Sequence, residues 1–138
     1  MPLTTAMRDL IGQLIIGSGT SFLFNNTNAQ LHVGDSTQAF GSSQNGCASS
    51  GANFVQASMN GGYPAYSVTS GGPPAMIFQS TFGTAVGNFH WQEWCVKNSS
   101  ASGTSTGTGV ALNRVQVDLG TKTGVQTWQL TVVITPTT

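Results

Sequence analysis

Glu93 stands between Trp91 and Trp94, and an acid held among aromatic rings is well placed to act as a general acid, because burial disfavours its charged form. A glycosidase-type mechanism needs a second carboxylate beside it, and the sequence offers none at a matching position. The competing role is structural: Glu93 pairs with Arg114 or Lys122 on a neighbouring strand, or accepts backbone N–H bonds, and this role is preferred. His32 and His90 have the chemistry of a base or a metal ligand, and each has an acid three positions downstream, Asp35 and Glu93. An offset of three on a strand puts side chains on opposite faces, so no metal site is expected and both imidazoles are placed on solvated faces. Cys47 and Cys95 permit one disulfide. Buried free thiols are the default for a chain made in a cytoplasm, and the bridge stays open as the alternative. Trp91, Trp94, Trp128 and Tyr63 could stack on sugars, but aromatics at alternating strand positions more often fill a core.

Val33-Gly34-Asp35-Ser36 places a serine in a turn after an apolar strand. It resembles the nucleophile block of the GDSL (SGNH) hydrolases, in which that serine attacks an ester. The resemblance implies an Asp-x-x-His near the C-terminus as the activating pair. Here Asp118 is followed by Leu119, Gly120 and Thr121, and both histidines precede it. An α/β hydrolase also needs several helices, and the pattern supports one. No catalytic residue and no cofactor are therefore expected.

The elements that would position these residues are mostly strands. Met7, Leu10, Ile11, Leu14 and Ile15 share one face of a helix of about three turns, with Thr4 or Thr5 as cap and Gly17 and Gly19 as stop. From Ala29 the period falls to two, with Ala29, Leu31 and Val33 on one side. Residues 41–72, rich in Gly, Ser and Asn, read as long loops anchored over the core by Phe54, Val55, Met59 and Tyr63. A strand over 76–82 carries Met76, Phe78 and Phe82 on one face. The strand over 89–98 has Phe89, Trp91, Glu93 and Cys95 on one side and His90, Gln92, Trp94 and Val96 on the other, which suits a central strand. Further strands are expected over 112–119 and 127–135, the latter with Trp128, Leu130, Val132 and Ile134 inward. Between the strands over 89–98 and 112–119, 99–109 reads as an exposed tip or loop.

The expected organisation is one domain over 1–138: a helix and arm over 1–20, then a β domain over 29–138 with long loops at 41–72 and 99–109. Its fold class is mostly β, an antiparallel sandwich or barrel-like domain with one N-terminal amphipathic helix. Charged residues are 6% of the chain and the net charge is zero, so there is no basic stripe for nucleic acid. Ser, Thr, Asn, Gln and Gly make up roughly half of the residues, a surface with little self-repulsion and a tendency to associate. No stretch has the apolar length of a membrane span, and the start lacks the charged region and cleavage site of a secretory signal. Synthesis in a cytoplasm, without a membrane partner, is the expectation.

Several segments, in consistent order, resemble a family of small virion structural proteins of tailed bacteriophages. They are Leu14-Ile15-Ile16-Gly17, Phe24-Asn25-Asn26-Thr27-Asn28-Ala29, Val33-Gly34-Asp35-Ser36-Thr37 with Ala39-Phe40, and Tyr63-Pro64. The likeness continues through 78–82, Asn88-Phe89-His90-Trp91-Gln92-Glu93-Trp94, Leu112-Asn113-Arg114, Leu119-Gly120-Thr121-Lys122-Thr123 and Thr127-Trp128-Gln129-Leu130-Thr131-Val132. The structural signature is thus Gly34, Asp35, Ser36, Phe89, Trp91, Glu93, Trp94, Asn113, Arg114, Lys122 and Trp128. The chain departs from the family's pattern at Cys95, where glycine is usual, and over 44–59, which is neutral rather than charged. A fainter likeness is to the N-terminal domain of phage tail-collar fibres.

The resemblance implies a non-enzymatic virion component. A capsid decoration (cement) protein, bound to the major capsid protein as a homo-oligomer such as a trimer, is the reading preferred. A tail, baseplate or fibre-attachment protein bound to tail proteins is the alternative, and a receptor- or glycan-binding module comes third. Met7, Leu10, Ile11, Leu14 and Ile15 would then supply a capsid or subunit contact.

Overall fold

The computed structural model describes residues 24–49, 51–67, 74–98 and 109–135. The amphipathic stretch 7–15 lies outside these residues, as do residues 50 and 68–72 of the 41–72 segment and residues 99–108 of the 99–109 segment. Within the described residues the regular structure is antiparallel sheet apart from one 3₁₀ turn. Strands β1 (Ala29–Gly34), β2 (Phe54–Ser58), β5 (His90–Asn98) and β6 (Ala111–Thr121) form one sheet in the order β2-β1-β5-β6. Strands β3 (Ala65–Ser67), β4 (Ala75–Phe82) and β7 (Trp128–Ile134) form the other, in the order β3-β4-β7.

Alternation explains how the two sheets meet. Leu31 and Val33 of β1, Val96 of β5 and Leu112 of β6 join Phe78 and Phe82 of β4 and Val132 and Ile134 of β7 in one apolar cluster. Trp91 closes one end of it, edge-on to Phe82 and Trp128 with ring centroids 4.8 and 5.0 Å away. Its indole N–H, which burial would otherwise strand, donates to the Gly87 carbonyl at 2.8 Å. The stacking surface proposed for Trp91 is thereby excluded, because this ring is inside the core.

Three expectations need correction. The segment 41–72 is not all loop: it contains a 3₁₀ turn (Gly51–Asn53) and the strands β2 and β3. Its Gly and Ser content hid a short alternation in which Phe54 pairs with Gly34 and Val55 with Val33. The anchors themselves hold, with Phe54 and Met59 buried and Val55 and Tyr63 packed against the core. Next, His32 is not on a solvated face; it is 1% exposed and edge-on to Phe54 at 5.3 Å. Every residue of β1 is buried, which happens only when both faces of a sheet are covered.

The third correction concerns β5. Trp91 pairs with Gly120 but Glu93 pairs with Gln116, so three residues of β6, 117–119, lie beside one of β5, Gln92. Strict alternation fails across this bulge. Trp91 joins the apolar cluster with Val96, while Glu93 belongs with Cys95 among the polar groups on the other face.

Candidate functional site

The second face of the β2-β1-β5-β6 sheet is covered by residues 35–49, and the cover is held by ionisable groups. Glu93, fully buried, accepts hydrogen bonds from the Ala48 N–H at 2.9 Å, the Ser49 N–H at 2.7 Å and Arg114 Nε at 2.6 Å. Arg114 sits across from Cys95 on β6 and is 1% exposed. Its remaining nitrogens donate to Gln44 Oε1 at 3.0 Å and to the Gln38 carbonyl at 2.8 Å. Both partners of this ion pair therefore use their remaining hydrogen-bonding capacity on the loop, the condition under which burying two charges is tolerated. Of the two partners expected for Glu93, the structure selects Arg114.

Gly34 makes the arrangement possible. A Cβ at this position would stand 2.5 Å from Glu93 Oε1 and 2.6 Å from Ser49 Oγ. Asp35, the next residue, accepts from Ser49 Oγ at 2.9 Å and from Asn53 Nδ2 at 2.7 Å. Ser36 Oγ accepts from the Gln38 N–H at 3.1 Å, a local turn bond. The Gly-Asp-Ser motif thus fixes the start of the loop, with Ser36 Oγ taking part in its turn.

Beyond Glu93 on the same strand, Cys95 is buried and lies across from His32. Cys47 Sγ is 3.4 Å from Cys95 Sγ, and both are thiols. Burial alone would push the Cys95 thiol up; hydrogen bonds from Cys47 and His32 overcome this and hold it down at about 5. Burial and the same sulfur contact push the Cys47 thiol up. Lys97 completes the row, and burial lowers its ammonium from the ordinary value while the two cysteines act to raise it.

A second polar junction ties the turns at the other end. Lys122, 1% exposed, donates to the Gly83 carbonyl at 2.7 Å and to Asn88 Oδ1 at 2.8 Å. Asn88 Nδ2 in turn donates to the Thr84 carbonyl at 2.8 Å. Lys122→Met keeps the apolar stem but leaves these acceptors without their cation, and is expected to cost about 1–3 kcal/mol in urea unfolding. Amide shifts confined to residues 83–89 and 122 would confirm that the lysine acts on this turn alone. His90 donates to Asp118 at 2.7 Å, and that bond, helped by the Gly120 N–H, holds the Asp118 carboxyl below its ordinary value. Both side chains are largely exposed, so the pair is screened and contributes little.

The chain was compared with family models, curated proteins and solved structures. None matches.

Of the signature residues, Gly34, Asp35, Glu93 and Arg114 meet in one network, whereas Trp91, Trp94 and Trp128 belong to or pack on the core. Phe89 packs on the same core and lends its carbonyl to the Lys122 N–H at 3.2 Å, and Asn113 is buried beside Val96. Two signature segments also meet elsewhere: Asn26 Nδ2 donates to the Asn60 carbonyl at 2.9 Å and the Tyr63 carbonyl at 2.6 Å, next to the cis Tyr63-Pro64 bond. Sequence reasoning missed Gln38, Gln44, Ala48 and Ser49. Their signal was indirect: a buried acid and arginine on adjacent strands need further partners, and only a polar loop could bring them.

Among the described residues, no group of three or more His, Cys, Asp or Glu side chains could hold a metal ion, and no helix is long and apolar enough to cross a membrane.

Proposed function

We propose that this chain is a structural, non-catalytic β-sandwich component of a tailed-phage virion, a decoration protein of the capsid. The observation that carries the structural half is the employment of the acids. Asp35, Glu93 and Asp118 each accept hydrogen bonds that fix a loop or a turn, and Glu93 is also neutralised by Arg114. Chemistry at Asp35 or Glu93 would have to break the fold's own fastenings first.

The surface supports a role in assembly. No Asp, Glu, Lys, Arg or His occurs in β3, β4 or β7. On the side of this sheet away from the core, Gln79, Thr81, Gln129 and Thr131 surround Ile77 and Val133, the last 54% exposed. A neutral face of this kind packs against repeated copies of a neighbour without accumulating charge repulsion. The virion assignment itself rests on the ordered sequence resemblance, with the major capsid protein as partner and a homo-oligomer, such as a trimer, as the bound form.

Binding to the assembled shell and not to free subunits stabilises the shell by mass action, so a modest contact repeated over many sites suffices. The test is to add purified chain to assembled heads lacking it, and separately to unassembled capsid protein. Sedimentation with heads alone, and a raised temperature of head disruption, is the expected result. Sedimentation with tails and not heads would replace this reading by the tail or baseplate one.

A further inference from the structure

Cys47 and Cys95 are brought together by two strong fastenings rather than by a loose loop. On one side of Cys47, Asn45 Nδ2 donates to the Gly109 carbonyl at 2.5 Å and Asn45 Oδ1 accepts from the Ala111 N–H at 2.7 Å. On the other side, the Ala48 and Ser49 N–H groups are held by Glu93, two residues before Cys95 on β5. The two sulfur atoms are left 3.4 Å apart, so a closure of about 1.4 Å makes a normal S–S bond. Cys47 also lines a surface cavity of about 360 Å³ with Gln38, Gln44 and Lys97, whereas Cys95 is fully buried. Cys47 is thus the half-buried residue of the pair, on the cavity side, and Cys95 lies behind it in the sheet.

We propose that Cys47 and Cys95 form a redox-closable dithiol, in which Cys47 meets a small organic disulfide in the cavity and Cys95 resolves the adduct, stapling the 35–49 cover to β5. Cys47 first passes its proton to Cys95 across their contact. Its sulfur then attacks one sulfur of the small disulfide, whose S–S bond breaks and releases a thiolate. That thiolate takes the proton back from Cys95. The Cys95 sulfur attacks the Cys47 sulfur, the mixed disulfide breaks, and a second small thiolate leaves. Two protein thiols are oxidised and one small disulfide is reduced to two thiol equivalents. Hydrogen bonds from Cys47 and His32, which hold the Cys95 thiol down, favour the thiolate form of the resolving sulfur, beside the 3.4 Å contact that places it for attack.

The closed ring spans a sequence separation of 48 residues, a length at which a cross-link restricts the unfolded chain strongly. Oxidation is therefore expected to raise the melting temperature by roughly 10 °C. This inference is independent of where the protein acts.

The experiment equilibrates the full chain in oxidised or reduced glutathione, denatures it in iodoacetamide, and measures intact mass and melting temperature. After oxidised glutathione, the expected product is a monomer lighter by two hydrogens that takes up no alkyl group and melts higher than the reduced form. Cys47→Ser should abolish the melting difference between the two buffers, and Cys95→Ser, which lacks both the proton acceptor and the resolving sulfur, should gain a glutathione adduct on Cys47 only slowly and never a closed bond. Alkylation of both cysteines in the wild-type chain, a stalled wild-type adduct, or a disulfide between two chains would each overturn the proposal. A bond that forms without raising the melting temperature would overturn the stapling. Should Cys95→Ser fail to fold, the wild-type and Cys47→Ser measurements decide the outcome without it.

Discussion

Replacing Glu93 by glutamine is expected to remove about 3–5 kcal/mol from the unfolding free energy, the cost of leaving a buried arginine without its counter-charge. The loss is large because three donors converge on the carboxylate: the Ala48 N–H, the Ser49 N–H and Arg114 Nε. A glutamine has one acceptor oxygen for them and turns an N–H₂ group toward at least one. Total stabilities of single domains lie near 5–15 kcal/mol, so the variant approaches the edge of folding. Urea unfolding with the slope held constant gives the number directly. The double change Glu93→Met with Arg114→Met separates the ion pair from simple loss of packing. It is expected to be more stable than Glu93→Gln alone, since it removes both charges together. A double variant as unstable as the sum of the singles would show that the two side chains do not act as a pair.

The second large effect is expected at a residue with no side chain. Gly34→Ala puts a Cβ within 2.6 Å of both Glu93 Oε1 and Ser49 Cβ, closer than van der Waals contact permits. Neither neighbour is free to retreat. Glu93 is held by Arg114, and Ser49 is held through its N–H by Glu93 and through its Oγ by Asp35. The cost is about 3 kcal/mol, in the range of overpacked cores, and the 35–49 cover should lose hydrogen-exchange protection before the sheet does. Adding Ser49→Gly removes two of the three clashing atoms and is expected to recover part of the loss. An alanine tolerated without change would mean that the cover is not pressed against the sheet at this point.

How far the sequence foretold this arrangement differs from face to face of the same sheet. The apolar face follows from period-two alternation: Leu31 and Val33, Phe78 and Phe82, Val132 and Ile134 all lie where the pattern puts them. The structural role of Glu93, and Arg114 as a partner, followed from the difficulty of burying a lone acid. The polar face was hidden for two reasons. Its cover is a loop of Gln, Asn, Ser and Gly, whose contacts depend on hydrogen bonds with no sequence period. The bulge between Trp91 and Glu93 then changes which residues share a side, and alternation cannot reveal an inserted residue. His32 was misplaced for the first reason: on a strand covered on both faces, a polar residue at an outward position is still buried.

The proposed role and the internal fastening of the acids lead to one expectation about the intact particle. A protein that decorates the shell must be present in numbers set by the symmetry of the head. Counting copies in an electron-microscopy map of the particle, with the density fitted by this two-sheet fold, tests that most directly. On the order of hundreds of copies are expected on the outer surface of the head, at symmetry-related positions between capsomers. About a dozen copies or fewer, confined to the tail or its tip, would contradict that role.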